Sequence, residues 1–366
     1  MNATDGAAGI PAVYMRGGTS KGVFLHAADI PAAGAERDAL LLRLMGSPDP
    51  LQIDGMGGTY SSTSKVVIVE PGPGAAVTYW FAQIGIDAPT VDWAGNCGNL
   101  TTAVAPFAID EGLVQATGSL TSVHLINGNT GVHIVAEVPT VDGRAATTGT
   151  HSIAGVPGTG APVVTRYLDP TGGVLGHLFP LGGPTTRIDI DGVPLTVTLM
   201  DAAHPNLIVR AEDVGLQGDV RTVAELNSDH GLRARVERIR AAASVRLRRA
   251  SAPEEAARAS PAIPRIVVVE RDAEGADLRA IAFSMGAVHR GLPMTGALCL
   301  AAAGSVAGTV VAELVGGPRE SVRVRHPLGI TEAVAETDGD GRIRSLGVVR
   351  TARRLMDGRV YPRDLL

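Results

Sequence analysis

The chain has 366 residues, of which 45% are hydrophobic and 19% charged, enough to bury large cores, and its length suits two domains better than one. A net charge of -5 with 3% aromatics supplies neither the basic surface nor the stacking platforms that nucleic acid requires. Two cysteines far apart, Cys97 and Cys299, rule out a disulfide framework, and the first residues carry no secretory signal, so a cytoplasmic protein is expected.

Of the 32 basic residues only two are lysines, Lys21 and Lys65. Guanidinium stays charged at all working pH values whereas an amine can shed its proton near neutrality, so lysine in this chain points to chemistry. Each follows a serine and begins an apolar run that reads as a strand. Arg16-Gly17-Gly18-Thr19-Ser20 ahead of the first is a donor-rich turn, and Gly55-Met56-Gly57-Gly58-Thr59 is another. Neither glycine run has the ending or the strand-to-helix setting of a nucleotide loop, so no phosphate cofactor is expected. Lys65 follows the hydroxyl cluster ending in Ser64 and leads the strand Val66 to Val69. Desolvation of its stem would favour the uncharged amine, as a general base requires; the alternative is an edge-strand lysine that blunts aggregation.

Asn96-Cys97-Gly98-Asn99-Leu100 places a thiol at the first turn of an apolar helix expected from about Gly98 to Gly112, with Pro106 as a kink. Free backbone N-H groups and the positive end of the helix dipole favour thiolate there and bind anions. A small buried cysteine is the competing reading, and it is the one adopted for Cys299, set among Leu298, Leu300 and alanines. The Gly- and Pro-rich stretch from Gly155 to Pro184 reads as a joint, and Arg187 to Val193 as a strand entering a turn. Leu232, Val236, Ile239 and Ala243 recur at helical spacing among the arginines from Arg233 to Arg249, which predicts an amphipathic surface helix with a solvated basic face. The uncharged run from Gly291 to Ala312 is long enough to raise a membrane span, but Pro293, Gly304 and Gly308 interrupt it. A buried helix from about Gly296 to Gly304 followed by a strand is expected instead. Met294-Thr295-Gly296-Ala297 opens that helix and puts a hydroxyl where the first helix has its thiol. The nine histidines lack the close pairing of zinc sites, so no metal is expected.

The chain also repeats itself. Gly22 to Ile30 lines up with Asn206 to Val214, Ser64 to Glu70 with Pro264 to Glu270, and Cys97 to Leu100 with Thr295 to Leu298, all in the same order. Lys65 thereby falls against Arg265, so one half supplies a base and the other a fixed charge. Each half reads as short strands, tight turns and one apolar helix, giving an α+β fold in which a curved sheet encloses a central helix. The domains are expected at 1-184 and 185-366, with a site in the cleft between them.

Several segments together resemble the PrpF-like family of 2-methylaconitate cis-trans isomerases and 4-oxalomesaconate tautomerases, within the diaminopimelate epimerase superfamily. They are Met15 to Gly22, Ser64-Lys65-Val66, Asn96 to Val114, Leu178-Phe179-Pro180, and Ser284-Met285-Gly286 through His289 to Thr295-Gly296-Ala297. The resemblance covers nearly the whole length. It implies two pseudo-symmetric barrel-like domains and cofactor-independent proton transfer on a small unsaturated tricarboxylate. By the same resemblance Lys65 and Cys97 match the family's catalytic lysine and cysteine. Arg16, Gly18, Thr19, Ser20, Lys21, Ser64, Asn96, Gly98, Asn99, His289, Thr295 and Gly296 are the expected substrate contacts. Epimerases of the superfamily use a thiol from each half, and Thr295 at the second place departs from that pattern. A racemase or epimerase, or a carboxylate-binding protein without turnover, is the alternative reading. No membrane or nucleic-acid partner is expected, and a homodimer is.

Overall fold

The computed structural model describes residues 9–93, 97–260, 263–284 and 286–363. The chain divides into two units, Met1–Arg166 with Val349–Leu366, and Tyr167–Val348. These bounds differ from 1-184 and 185-366 for a definite reason. The last strand, Ala352–Val360, pairs antiparallel with the first, Ile10–Gly17, so the C-terminal segment completes the sheet of the first unit. The stretch expected as a joint also carries a strand, Val163–Leu168.

In the first unit, β1 (Ile10–Gly17) and β2 (Ser20–His26) form a hairpin whose two-residue turn puts a φ of +51° at Gly18, the place that tight hairpins reserve for glycine. Helix α1 (Ala35–Met45) follows, burying Leu40, Leu41, Leu44 and Met45, and stops at Gly46 in the left-handed conformation. Then come β3 (Lys65–Pro71), β4 (Val77–Ile84), helix α2 (Gly98–Asp110), β5 (Leu120–Asn127) and β6 (His133–Val141). Pairing runs antiparallel for β1–β2, parallel for β2–β3, antiparallel for β3–β4, parallel for β4–β5 and antiparallel for β5–β6.

Strand alternation gives this sheet two working faces. Val23, Leu25, Val66, Ile68, Ala82 and Ile84 form one cluster with Leu41, Leu44 and Met45 of α1. The opposite face wraps α2, which touches each of β1 to β6 and the last strand. Leu100 through Ile109 of α2 are all buried, as an apolar helix enclosed on every side must be. Its two buried threonines cause no polar deficit, because Thr101 donates its hydroxyl to the Cys97 carbonyl at 3.1 Å and Thr102 to that of Gly98 at 3.2 Å.

The second unit repeats the plan. Its labelled elements are β7 (Val193–Ala202), β8 (His204–Arg210), α3 (His230–Arg246), β9 (Arg265–Arg271), β10 (Leu278–Ser284), α4 (Met294–Ser305), β11 (Ser321–His326) and β12 (Gly329–Thr337). Strands β7 to β12 pair in the same order and with the same directions as β1 to β6. The register agrees as well: Val23 lies opposite Val66 in one unit and Leu207 opposite Ile266 in the other. The internal repeat is therefore a repeat of hydrogen-bonded architecture. Asp191 and Gly192, at φ of +55° and +83°, form the turn expected after the strand Thr186–Ile190.

Two expectations need correcting. The uncharged run continues after α4 into a short helix, Val310–Val315, and not a strand, because the Thr309 side chain caps it by accepting from the Ala312 N-H at 3.1 Å. Helix α3 buries Leu232, Val236, Ile239 and Ala243 as expected, but Arg240 leaves the solvated face. The residue is 3% exposed, its guanidinium paired with Glu237 and donating to the Ser260 carbonyl at 2.7 Å.

Gly22 is a tight junction between β2, β3 and α2. A Cβ there would stand 2.6 Å from the Lys65 carbonyl oxygen and 3.1 Å from Cδ1 of Leu100. Gly22→Ala is expected to cost about 1–3 kcal/mol, the usual cost of overpacking, read as a lower urea midpoint at unchanged slope.

Candidate active site

Lys65 opens β3 opposite Gln83 on β4. Its side chain is 7% exposed, its Nζ donates to Gln83 Oε1 at 2.5 Å, and it lies 4.8 Å from the centre of the Phe81 ring. The neighbouring alternate residue on β4, Tyr79, hydrogen-bonds Thr101 of α2 at 2.8 Å, so Tyr79, Phe81 and Gln83 share the face that meets α2. Gly22, adjacent to Lys65 in the parallel register, abuts Leu100 of the same helix. Lys65 therefore projects from the sheet face that holds α2.

Cys97 is the N-cap of α2, half-buried, with no capping hydrogen bond from its side chain. Its Sγ lies 4.0 Å from Oγ of Ser20, the first residue of β2. Asn99 joins the same cluster, with Nδ2 donating to Thr19 Oγ1 at 3.0 Å and reaching Ser20 Oγ at 3.5 Å. A Cβ on Gly17 would lie 2.3 Å from the Asn99 carbonyl oxygen, and one on Gly18 would lie 2.2 Å from Asn99 Oδ1. The two glycines thus let the hairpin turn rest directly on the helix end. Gly98, the first helical residue, is buried. Its neighbours supply hydroxyls beside the unpaired N-H groups of a helix start, a combination that accepts a carboxylate.

The remaining expected contacts divide. Arg16 serves the turn itself: its Nη1 donates to the carbonyls of Gly18 at 3.0 Å and Thr351 at 2.8 Å. Burial, with the like charge of Arg353, moves its pKa below the ordinary arginine value. Lys21 lies on the other face of β2, paired with Arg16 and with its Nζ 5.5 Å from the Tyr14 ring, so the period of two separates it from Ser20 and Cys97. Ser64 is fully buried, donating to the Ile84 carbonyl at 3.0 Å and accepting from Gln52 at 2.7 Å. It is a scaffold residue rather than a carboxylate contact, and the second glycine run, with Gly57 pressed on Gln52, organises the same support. Asn96 lies outside the described residues.

In the second unit Thr295 lies in the first turn of α4 and accepts from Nη1 of Arg265, the opening residue of β9, at 2.9 Å. Arg265 stands where the first unit has Lys65, and Thr295, which aligns with Cys97 in the repeat, lies inside its helix where Cys97 caps the other. Burial lowers the Arg265 pKa, and its Nε is buried without a hydrogen-bond partner, which leaves a fixed positive charge with a spare donor. Gly296 is buried in the same turn, 3.3 Å from Leu292 at the point a Cβ would occupy. His289 is exposed, and its Nδ1 meets the Gly291 carbonyl at 3.0 Å and the Gly291 N-H at 3.2 Å. A groove of about 460 Å³ in this unit is lined by Arg221, Arg279, Arg290 and Arg325, of which Arg221, Arg279 and Arg325 pair with Asp219, Asp229, Glu270 and Asp272.

Sequence reading missed Gln83, although a polar residue ending the alternation Tyr79, Phe81, Gln83 was a signal for it. Folding also brings His124 Nε2 within 2.9 Å of His133 Nδ1 on the exposed face of β5–β6, a pairing invisible in sequence. Among the described residues no group of three or more His, Cys, Asp or Glu could hold a metal, and no helix is long and apolar enough to cross a membrane.

Two like-built units, each a sheet around a helix, define the epimerase-like class of α+β proteins. A hydroxyproline epimerase from Agrobacterium vitis shares the fold, with a TM-score of 0.52 at 13% identity over 97% of this chain and 93% of that one. Residues 7–363 match the PrpF protein family, and the chain belongs to it. It is 39% identical to the (4E)-oxalomesaconate Delta-isomerase of Novosphingobium sp. strain KA1, over 96% of this chain and 97% of the relative. The crystal structure of a methylitaconate-delta-isomerase superposes with a TM-score of 0.89 at 37% identity, covering 97% of this chain and 96% of the other. The protein is an isomerase.

The two thiols differ in a testable way. Burial pushes the Cys299 thiol up to about 12, whereas Cys97 is half-buried at a helix start. Titration of the native protein with a disulfide reagent at pH 8 is expected to modify Cys97 alone, with Cys299 reacting only after unfolding. Rapid modification of both thiols in the native state would contradict this placement.

Proposed function

We propose that this isomerase moves a C=C bond by a 1,3-allylic proton shift in a small unsaturated tricarboxylate such as 4-oxalomesaconate or 2-methylaconitate, with Lys65 as the base. The amine removes an allylic proton made acidic by the conjugated carboxylate. The C–H electron pair becomes the new C=C bond, and the former π pair delocalises into the carboxylate as a dienolate. Donors fixed where charge develops give the largest single contribution to catalysis of this kind, and the first N-H groups of α2 at Gly98 and Asn99 are such donors. Protonation at the far carbon by the Lys65 ammonium restores the neutral amine and completes the isomerisation; where the Cys97 thiol is the donor, the ammonium must return its proton to the thiolate to restore the enzyme. No proton or electron is gained or lost overall. Thr19 and Ser20 hold a substrate carboxylate.

The observation that carries this reading is the placement of Lys65, one of only two lysines, on the sheet face that encloses α2, the helix capped by the thiol. The names of the two isomerases above denote a double-bond shift, which supports the reaction class. Thr295 in place of a second thiol weighs against stereoinversion by paired cysteines.

The test is a panel of aconitate, methylaconitate, itaconate and oxalomesaconate isomers followed by the absorbance of the conjugated acids, with chiral amino and hydroxy acids in deuterated buffer as the contrast. Turnover is expected with a tricarboxylate. Inversion of an amino or hydroxy acid instead would overturn the proposal. Lys65→Met should lower kcat on the order of a hundredfold or more, the reach of general acid-base catalysis, and unchanged turnover would remove Lys65 as the base. If Cys97→Ser keeps the wild-type rate of solvent-deuterium incorporation, Lys65 alone carries the proton.

A further inference from the structure

We infer that Gln83 is a positioning residue for the Lys65 amine, an uncharged acceptor that anchors the base without fixing a proton on it; the inference rests on the reading of Lys65 as base. Gln83 faces Lys65 in the β3–β4 register, and its Oε1 takes one N-H of the amine at 2.5 Å. The amide cannot turn over. Its Nε2 donates to the Ser64 carbonyl at 2.8 Å and the Ser61 carbonyl at 3.1 Å, and a flipped amide would set its NH2 against the amine and its oxygen against two carbonyls.

The anchor is itself anchored. Ser64, whose carbonyl Gln83 holds, is fixed by its hydroxyl to the Ile84 carbonyl and by Gln52. A flexible four-carbon stem is thereby held in one conformation, with one N-H committed and the lone pair of the neutral amine left for substrate. A carboxylate at this place would grip the amine equally well, but its charge would stabilise the ammonium form and oppose proton abstraction. The Phe81 ring at 4.8 Å also attracts a cation, more weakly than a carboxylate would. Glutamine joins the reach of glutamate to zero charge, and its second function, the NH2 group, ties the loop carrying Ser61 and Ser64 to the strand.

Because Lys21 and Lys65 are the only lysines, the state of the Lys65 amine can be read apart from activity. Gln83→Glu and Gln83→Leu, in the full chain, are compared with wild type by thermal melting, by acylation of each lysine against pH followed by mass spectrometry, and by kcat and KM against pH with the acid that the panel identifies. Glutamate is expected to raise the pH at which Lys65 acylates by about one unit or more, with Lys21 unmoved, and to shift the rising limb of kcat the same way. Leucine is expected to lower kcat about tenfold or more while KM changes little. A purely structural role would lower the melting temperature and leave both pH profiles in place, and that result overturns the inference. If the acylation curve moves in the glutamate variant while the kcat profile stays where it was, it is the assignment of Lys65 as base that fails, and the catalytic meaning of Gln83 fails with it.

Discussion

The seating of the β1–β2 turn on the first residues of α2 is the contact that the candidate site depends on. Side chains at Gly17 and Gly18 would stand 2.3 and 2.2 Å from atoms of Asn99, closer than real Cβ atoms come to backbone or amide atoms. With no side chains there, the helix end descends onto the turn. Asn99 then reaches Thr19 and Ser20, and the Cys97 sulfur comes within 4.0 Å of the Ser20 hydroxyl. Arg16 braces the turn from its own backbone and from Thr351. Gly22 does for β2 and β3 what its neighbours do for the turn, bringing the Lys65 backbone against α2. Three glycines within six residues thus set where the helix dipole, the thiol and the amine can be.

The two units show what a duplicated framework keeps and what it changes. Strand order, directions and register are the same in both, and those are properties of backbone hydrogen bonding that many sequences satisfy. The residues opening β3 and β9 occupy equivalent places, those at the starts of α2 and α4 align in the repeat, and both pairs differ in kind. Lys65 and Cys97 are groups that can exchange a proton. Arg265 and Thr295, bonded to each other at 2.9 Å, present a permanent charge and a hydroxyl.

Polar residues near the site sort by whether their hydrogen bonds are already spent. Ser64 and Arg16 use theirs on the protein, and removing either would disturb the support of Lys65 or the turn rather than a substrate contact. Ser20 and Thr19 keep hydroxyls beside the helix start, where an anion is favoured. Gln83 belongs with neither group: one end of its amide is spent on the loop and the other on the amine.

Much of this was legible in the sequence. Hydrophobic period gave α3 and its buried positions, the apolar helices starting near Gly98 and Gly296, and the duplicated plan, because burial selects residue type directly and leaves its period behind. The scarcity of lysine and the flanks of Cys97 marked the candidate groups Lys21, Lys65 and Cys97, since an amine and a thiol can exchange protons. What folding alone decided is which side of a strand each group faces and who its partners are. Alternation put Lys21 and Lys65 on opposite faces although both follow a serine, and long-range register placed Gln83 beside Lys65 across 18 residues of chain. It also returned the C-terminal strand to the first unit, a pairing between residues 10 and 360 that no local signal records. Local composition encodes what a residue can do, while pairing between distant segments sets what it touches, and catalysis needs both.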